Sequence, residues 1–182
     1  MVKILVEGYT DKYFIELYLK YLNISKCKVE QVAGKDNLFK YKIEIQRSND
    51  NYFIIFDADD NLDKSKNNII NQLEVDESFF DKIFLFPNNK DTGNLETLIE
   101  KIAIHKEVLQ CYENYESCID YLINNKIPDL KHPSKNQKVF AYMSGFGFKN
   151  PIDAKSFDLT LYVDFDNIYL NDLKKFLENI NF

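Results

Sequence analysis

Apolar and polar positions follow two rhythms along the first hundred residues. Lys3-Ile4-Leu5-Val6-Glu7 is short, apolar and β-branched and runs into Gly8, which predicts a buried strand ending near Glu7. Behind Thr10, a candidate N-cap with Asp11 in the first turn, Phe14, Leu17, Tyr18, Tyr21 and Leu22 recur at helical spacing. Cys27 to Val32 predicts a second strand, and Gly34-Lys35-Asp36-Asn37 opens a second helix with Leu38, Tyr41 and Ile45 on one side. Tyr52-Phe53-Ile54-Ile55-Phe56 is aromatic and β-branched throughout, as a central parallel strand should be. A helix from about Lys64 to Leu73 follows, then a fourth apolar strand from Lys82 to Phe86, stopped by Pro87. Asn94 is placed to cap a helix that buries Leu95, Leu98, Ile99 and Ile102.

Four strands alternating with helices predict an α/β fold, a doubly wound and mostly parallel sheet with helices on both faces. Beyond His105 the rhythm changes. Val108, Tyr112, Tyr115, Ile119 and Leu122 step along a helix to about Asn125, and the next strand pattern is Leu159 to Val163. The expected organisation is an α/β core over residues 1–104 and a mainly helical C-terminal extension over 105–182, packed on the core and ending in a helix around Leu170 to Leu177. Pro128, Pro133 and the polar stretch from Lys131 to Asn136 mark a loop inside the extension.

The 182 residues, 45% hydrophobic and 29% charged, suit a soluble globular chain, and no apolar run approaches the roughly 20 residues of a spanning helix. The N-terminus lacks the plan of a signal peptide, so a cytoplasmic location is expected, with no membrane partner. Three cysteines without C-x-x-C spacing and two histidines outside any ligand pattern argue against a disulfide scaffold and a structural zinc site. A net charge of -6 excludes an indiscriminate nucleic-acid binder, because counterion release needs clustered Lys and Arg; any nucleic-acid contact must be local.

Chemistry is expected at the carboxyl ends of the strands, where open parallel sheets bind ligands. Glu7 closes the first strand, and Asp57 with Asp59 closes the third; spaced by two in an extended segment, the two aspartates would point the same way. Three carboxylates on one edge repel unless a cation or protons offset them, and magnesium takes such hard oxygen ligands. Structural employment competes with this reading: Asp60 or Asn61 suits an N-cap, and Glu96 suits a helix N-terminus. Glu7 has no such local use. Lys35, after the second strand, is placed to meet a phosphate or simply to be solvated. The second D-x-D, Asp164-Phe165-Asp166, lacks a partner glutamate, and Asp166-Asn167 reads as a cap for the last helix. The Tyr112 and Tyr115 stripe reads as core or dimer packing, and Lys131, His132, Lys135 and Lys138 read as a solvated loop with a capacity for nucleic-acid backbone.

Val6-Glu7-Gly8-Tyr9-Thr10-Asp11-Lys12-Tyr13-Phe14 resembles the first motif of the TOPRIM domain, and Phe56-Asp57-Ala58-Asp59 resembles its second, a D-x-D after the third strand. Phe86-Pro87-Asn88-Asn89 and Asn94-Leu95-Glu96-Thr97-Leu98 resemble a small uncharacterised TOPRIM-like family related to OLD-type nucleases. The resemblance implies a TOPRIM-like, Rossmann-like core and nuclease-like, Mg2+-dependent phosphodiester chemistry, with Mn2+ as a substitute ion. It also implies acid/base work for Glu7 and metal binding by Glu7, Asp57, Asp59 and Glu96, with Gly8 and Lys35 near phosphate. Asn61 departs from the small or glycine residue of many topoisomerases and primases, so strand passage and priming are not implied.

The partners implied are nucleic acid, DNA before RNA, and an ATPase or other protein subunit; a homodimer is compatible. Two other readings stay open at this point. A non-catalytic TOPRIM-like module would bind metal or a partner without turnover. A phosphatase would use Asp57 as nucleophile, although its motif wants threonine where Asn61 stands and wants the first strand.

Overall fold

A computed structural model of the chain describes residues 1–127, 129–134, 137–147 and 158–180. The four apolar runs pair as parallel strands: β1 (Val2–Val6), β2 (Cys27–Gln31), β3 (Asn51–Asp57) and β4 (Ile83–Phe86), in the order β2-β1-β3-β4. The inner strands β1 and β3 carry the most continuous apolar sequence because both of their faces are covered. Val6 stands opposite Ile55, so Glu7 and Asp57 leave the sheet at the same edge.

Parallel strands need crossovers, and helices supply them. α1 (Tyr9–Tyr21) joins β1 to β2, and a 3-10 segment (Lys35–Tyr41) with α2 (Lys42–Arg47) joins β2 to β3. α3 (Leu62–Leu73) and a second 3-10 segment (Glu77–Lys82) join β3 to β4, and α4 (Leu95–Ile102) follows. The two-residue period of the strands sorts their side chains between two cores. On one face Leu5, Ile54, Phe56 and Leu85 pack with Leu38, Ile69 and Leu73. On the other, Phe14 meets Phe86 and Phe165, while Phe176 of α7 (Asn171–Glu178) meets Phe53 and Phe84. Each fully buried Leu, Ile or Phe contributes about 1.5–3 kcal/mol relative to exposure, which fixes the strand ends firmly. The α/β class expected from the sequence is the class observed.

The chain divides into two compact units, Met1–Lys101 with Phe165–Phe182, and Ile102–Asp164. The last helix groups with the first unit. In the second unit, α5 (Lys106–Asn125) and α6 (Gln137–Gly145) pack together, with Lys138 Nζ 2.9 Å from Glu113 Oε1. The buried Tyr142 hydroxyl donates to the Tyr162 carbonyl at 2.6 Å. No helix among the described residues is long and apolar enough to cross a membrane.

Several local expectations are corrected. The run from Leu159 to Val163 is not a strand: Leu159–Leu161 is a 3-10 turn whose Thr160 N–H donates to the Asp158 carboxylate, and Val163 alone bridges to Ala103. A side-chain acceptor close in sequence has outcompeted a ladder. Gly8, not Thr10, is the N-cap of α1, and Asn61, not Asp60, caps α3 by accepting from Lys64 N–H at 2.9 Å. Asn167 caps the 3-10 turn Ile168–Leu170 ahead of α7. Tyr115 is half exposed, its ring 5.6 Å from that of Tyr112, so this stripe is not core. His132 is exposed, with Nε2 3.2 Å from Asp120 Oδ1, and Lys138 is taken by Glu113; Pro128, Lys135 and Asn136 lie outside the described residues.

Candidate functional site

Glu7 is the first residue past β1, and α1 begins two residues later. The turn between them is closed by Asp11, whose Oδ2 accepts from Gly8 N–H at 2.7 Å. A Cβ on residue 8 would stand 3.1 Å from that oxygen, so glycine lets the Asp11 carboxylate reach back over the turn. The β2 side reaches Glu7 as well. Gly34 N–H donates to the Glu7 carbonyl at 3.0 Å, and Lys35 N–H donates to the Glu7 carboxylate. Lys35 Nζ then lies 2.5 Å from Asp59 Oδ2.

Asp57 ends β3, and its Oδ1 accepts from Leu95 N–H, the first amide of α4, at 3.1 Å. The chain then turns sharply. Asp59 has φ 51 and exchanges two backbone hydrogen bonds of 2.8 Å with Gly93, one in each direction. Gly93 has φ +135, and a Cβ there would meet Thr97 Oγ1 at 2.7 Å, so glycine is required on both counts. Asn94 accepts from Thr97 N–H at 2.9 Å, the cap expected for this helix, and Glu96 sits in its first turn. The loop after β3 and the start of α4 are thereby tied to each other.

Burial and like charge act together on this edge. Burial, then Asp11, Glu7 and Glu96, push the Asp57 carboxyl up to about 8, against a single Leu95 N–H that lowers it. Burial raises Glu7 above the usual carboxylate range, Asp11 and Asp59 raise it further, and Lys35 offsets part of this. Asp11 is raised by burial in spite of its Gly8 hydrogen bond, and Glu96 by burial and then by Asp11 and Glu100. Glu7, Asp11, Asp57 and Glu96 thus act on one another from three separate chain segments.

Of the residues singled out in the sequence, Glu7, Asp57 and Glu96 share this electrostatic neighbourhood. Asp59 does not point with Asp57: β3 ends at Asp57, and the positive φ at Asp59 turns its half-exposed carboxylate to Lys35. Asp60 is exposed. Asp11 is the member that sequence reasoning missed, because a carboxylate in a first helical turn reads as an ordinary dipole partner. Its signal was the four-residue spacing from Glu7 across a glycine.

A family profile described as "Protein of unknown function (DUF3226)" matches residues 1–181. The chain belongs to that family. Among solved structures it is similar to the C-terminal region of the Burkholderia pseudomallei OLD protein, with 13% identity, 99% of this chain and 98% of that chain covered, and a TM-score of 0.57. It is also similar to the platinum-phased C-terminal region of the Xanthomonas campestris pv. campestris OLD protein, with 18% identity, coverage of 98% and 92%, and a TM-score of 0.54. No curated protein matches. The fold is therefore that of these OLD C-terminal regions.

Among the described residues, no three His, Cys, Asp or Glu groups stand close enough to share one metal ion. Magnesium does not require three: it is usually held by one or two carboxylates, with water and substrate phosphate completing its shell. A hard-oxygen donor set under mutual repulsion fits such an ion.

Proposed function

We propose that this chain carries out TOPRIM-type, Mg2+-dependent phosphodiester chemistry on nucleic acid, DNA before RNA, in the cytoplasm and with a partner subunit such as an ATPase. The observation that carries the reading is the crowding of Glu7, Asp11, Asp57 and Glu96 at the carboxyl edge of a parallel sheet, with Asp57 pushed up to about 8. So large a shift at a strand end is more at home in a reactive site than in a structural one.

Asp57 with one acidic neighbour, Glu7 or Glu96, would hold magnesium, Mn2+ substituting. When bound, the ion supplies charge stabilisation for the phosphate and for the oxygens on which charge develops. Glu7, raised toward neutrality, is suited to carry a proton to or from a reacting oxygen. Asp11 holds the Gly8 amide, which leaves Lys35 as the donor that reaches phosphate once it leaves Asp59. An aspartyl phosphatase wants threonine where Asn61 stands and its nucleophile at the end of the first strand, whereas Asp57 ends β3.

Cleavage of plasmid and oligonucleotide DNA in Mg2+ or Mn2+ tests the proposal, comparing the parent with Glu7→Gln and Asp57→Asn. Loss of at least 100-fold in each variant is expected. Equal activity in all three would remove it.

A further inference from the structure

α1 and the outer strand β2 frame an open groove of about 680 Å3 that runs from Lys12 to the amino end of β2. Its lining brings together Lys12, Lys20 and Lys28, with Glu16 as the one carboxylate among the lining residues. The helix delivers them by spacing: Lys12, Glu16, Lys20 and Asn23 recur on one face of α1, and the exposed Tyr9 begins that face. Because β2 is an edge strand, no further strand among the described residues covers its side of the groove. Basic residues placed at 12, 20 and 28 read as scattered singles along the chain. The crossover from β1 through α1 to β2 turns them into a patch, so the Lys131 to Lys138 loop is not the one basic cluster of the molecule.

We infer that this groove grips one strand of a nucleic-acid backbone and leads it to the carboxylate edge. The inference rests on the phosphodiester reading of that edge and names how an acidic chain holds its polymer. The end of the groove nearest that edge is Lys12, the residue after Asp11, and the other end, Asn23 to Lys28, lies at the amino end of β2. Lys12 and Lys20 are eight residues apart, a rise of about 12 Å along a helix, which spans three to four nucleotides at 3.4 Å per strand. Two of the lysines have carboxylate neighbours, Lys12 with Glu16 at 3.7 Å and Lys28 with Glu30 at 2.8 Å. Exposed pairs of this kind are worth at most about 1 kcal/mol, so each lysine passes readily to a phosphate.

Binding of fluorescent single-stranded DNA to the full chain, measured by anisotropy in EDTA at several salt concentrations, tests this apart from any turnover. Three phosphate contacts to a single strand predict a slope of log K against log salt near -2, a loss of about 20-fold between 50 and 200 mM salt. Lys20→Gln/Lys28→Gln is expected to weaken binding at least 10-fold at 50 mM salt and to reduce the slope by about 1.4. Asp57→Asn is expected to bind at least as well as the parent, and Lys106→Gln/Lys126→Gln, an equal charge change in the second unit, is expected to leave binding unchanged. Parental binding by the Lys20/Lys28 variant, an equal loss in the Lys106/Lys126 control, or binding of an acidic peptide in place of DNA would each overturn the inference. Lysine-dependent binding without cleavage of any substrate supports the groove and removes the proposed function instead.

Discussion

Lys35 Nζ and Asp59 Oδ2 meet at 2.5 Å across a separation of twenty-four residues. The same lysine reaches Glu7 through its backbone N–H, so one residue touches both strand-end motifs. Lys35 is itself positioned by Gln72, whose Nε2 donates to the Lys35 carbonyl at 2.9 Å.

Lys35→Met should therefore separate stability from turnover. The side chains of the pair are 47% and 44% exposed, and such pairs contribute about 0.2–1 kcal/mol. A fall in Tm of less than about 4 °C is expected. DNA cleavage is expected to drop about 100-fold through loss of a phosphate donor. Thermal melts and cleavage rates on one preparation check both; a large Tm loss with unchanged cleavage would make Lys35 purely structural.

The carboxylate edge predicts how stability varies with pH. Asp57 is raised from the ordinary carboxylate range to about 8, so the folded chain holds a proton that the unfolded chain has released. Stability from this group is complete below the unfolded value and is lost as pH rises through about 8. Without divalent ion, Tm should fall between pH 5 and 8.5. Asp57→Asn should flatten that fall and gain on the order of 2 kcal/mol at pH 8.5. A flat parental profile would contradict the electrostatics.

Magnesium should reverse the same penalty. At a concentration one hundredfold above Kd it is expected to stabilise the parent by about 2.7 kcal/mol, with the gain largest at high pH. Asp57→Asn and Glu7→Gln should lose most of it. Melting curves with and without Mg2+ read this directly, and calcium is a useful non-supporting control for turnover.

Gly93→Ala meets two obstacles, a φ of +135 and a contact of 2.7 Å with Thr97 Oγ1. A destabilisation of about 1–3 kcal/mol is expected. Gly93→Ala/Thr97→Ala should recover part of it by removing the contact while the backbone strain remains. Urea denaturation of the two variants decides whether both obstacles operate.

Asn61→Ala should cost about 0.5–2 kcal/mol as the loss of an N-cap, and Asp60→Ala should cost almost nothing. If Asp60→Ala proves the more harmful change in chemical denaturation, the cap is misassigned.

Strand ends were readable in the sequence because β-branched runs such as Tyr52 to Phe56 leave no alternative to a doubly covered strand, and the residue after each run must then stand at the edge. Asp57 and Glu7 follow directly. Asp59 was not readable in the same way. Its orientation depends on hydrogen bonds to Gly93, thirty-four residues on, and no local pattern encodes a left-handed aspartate. Asp11 was hidden by its double use, since the same carboxylate both closes the Gly8 turn and charges the site. Leu159 to Val163 misled for the converse reason: its alternation is that of a strand, yet Asp158 supplies a nearer partner for the Thr160 amide.

The pair of hydrogen bonds between Asp59 and Gly93 makes the mouth of this edge mechanically unequal. The segments after β3 and β4 form a stiff jaw, since neither moves without carrying the other and the head of α4 with it. The opposing jaw, at Lys35, is fastened by the Gly34 and Lys35 N–H groups to Glu7 and by exposed side chains. If the edge takes the nucleic acid proposed above, the Lys35 side is the one expected to yield, with Asp57 and Glu96 on the tied side keeping their spacing.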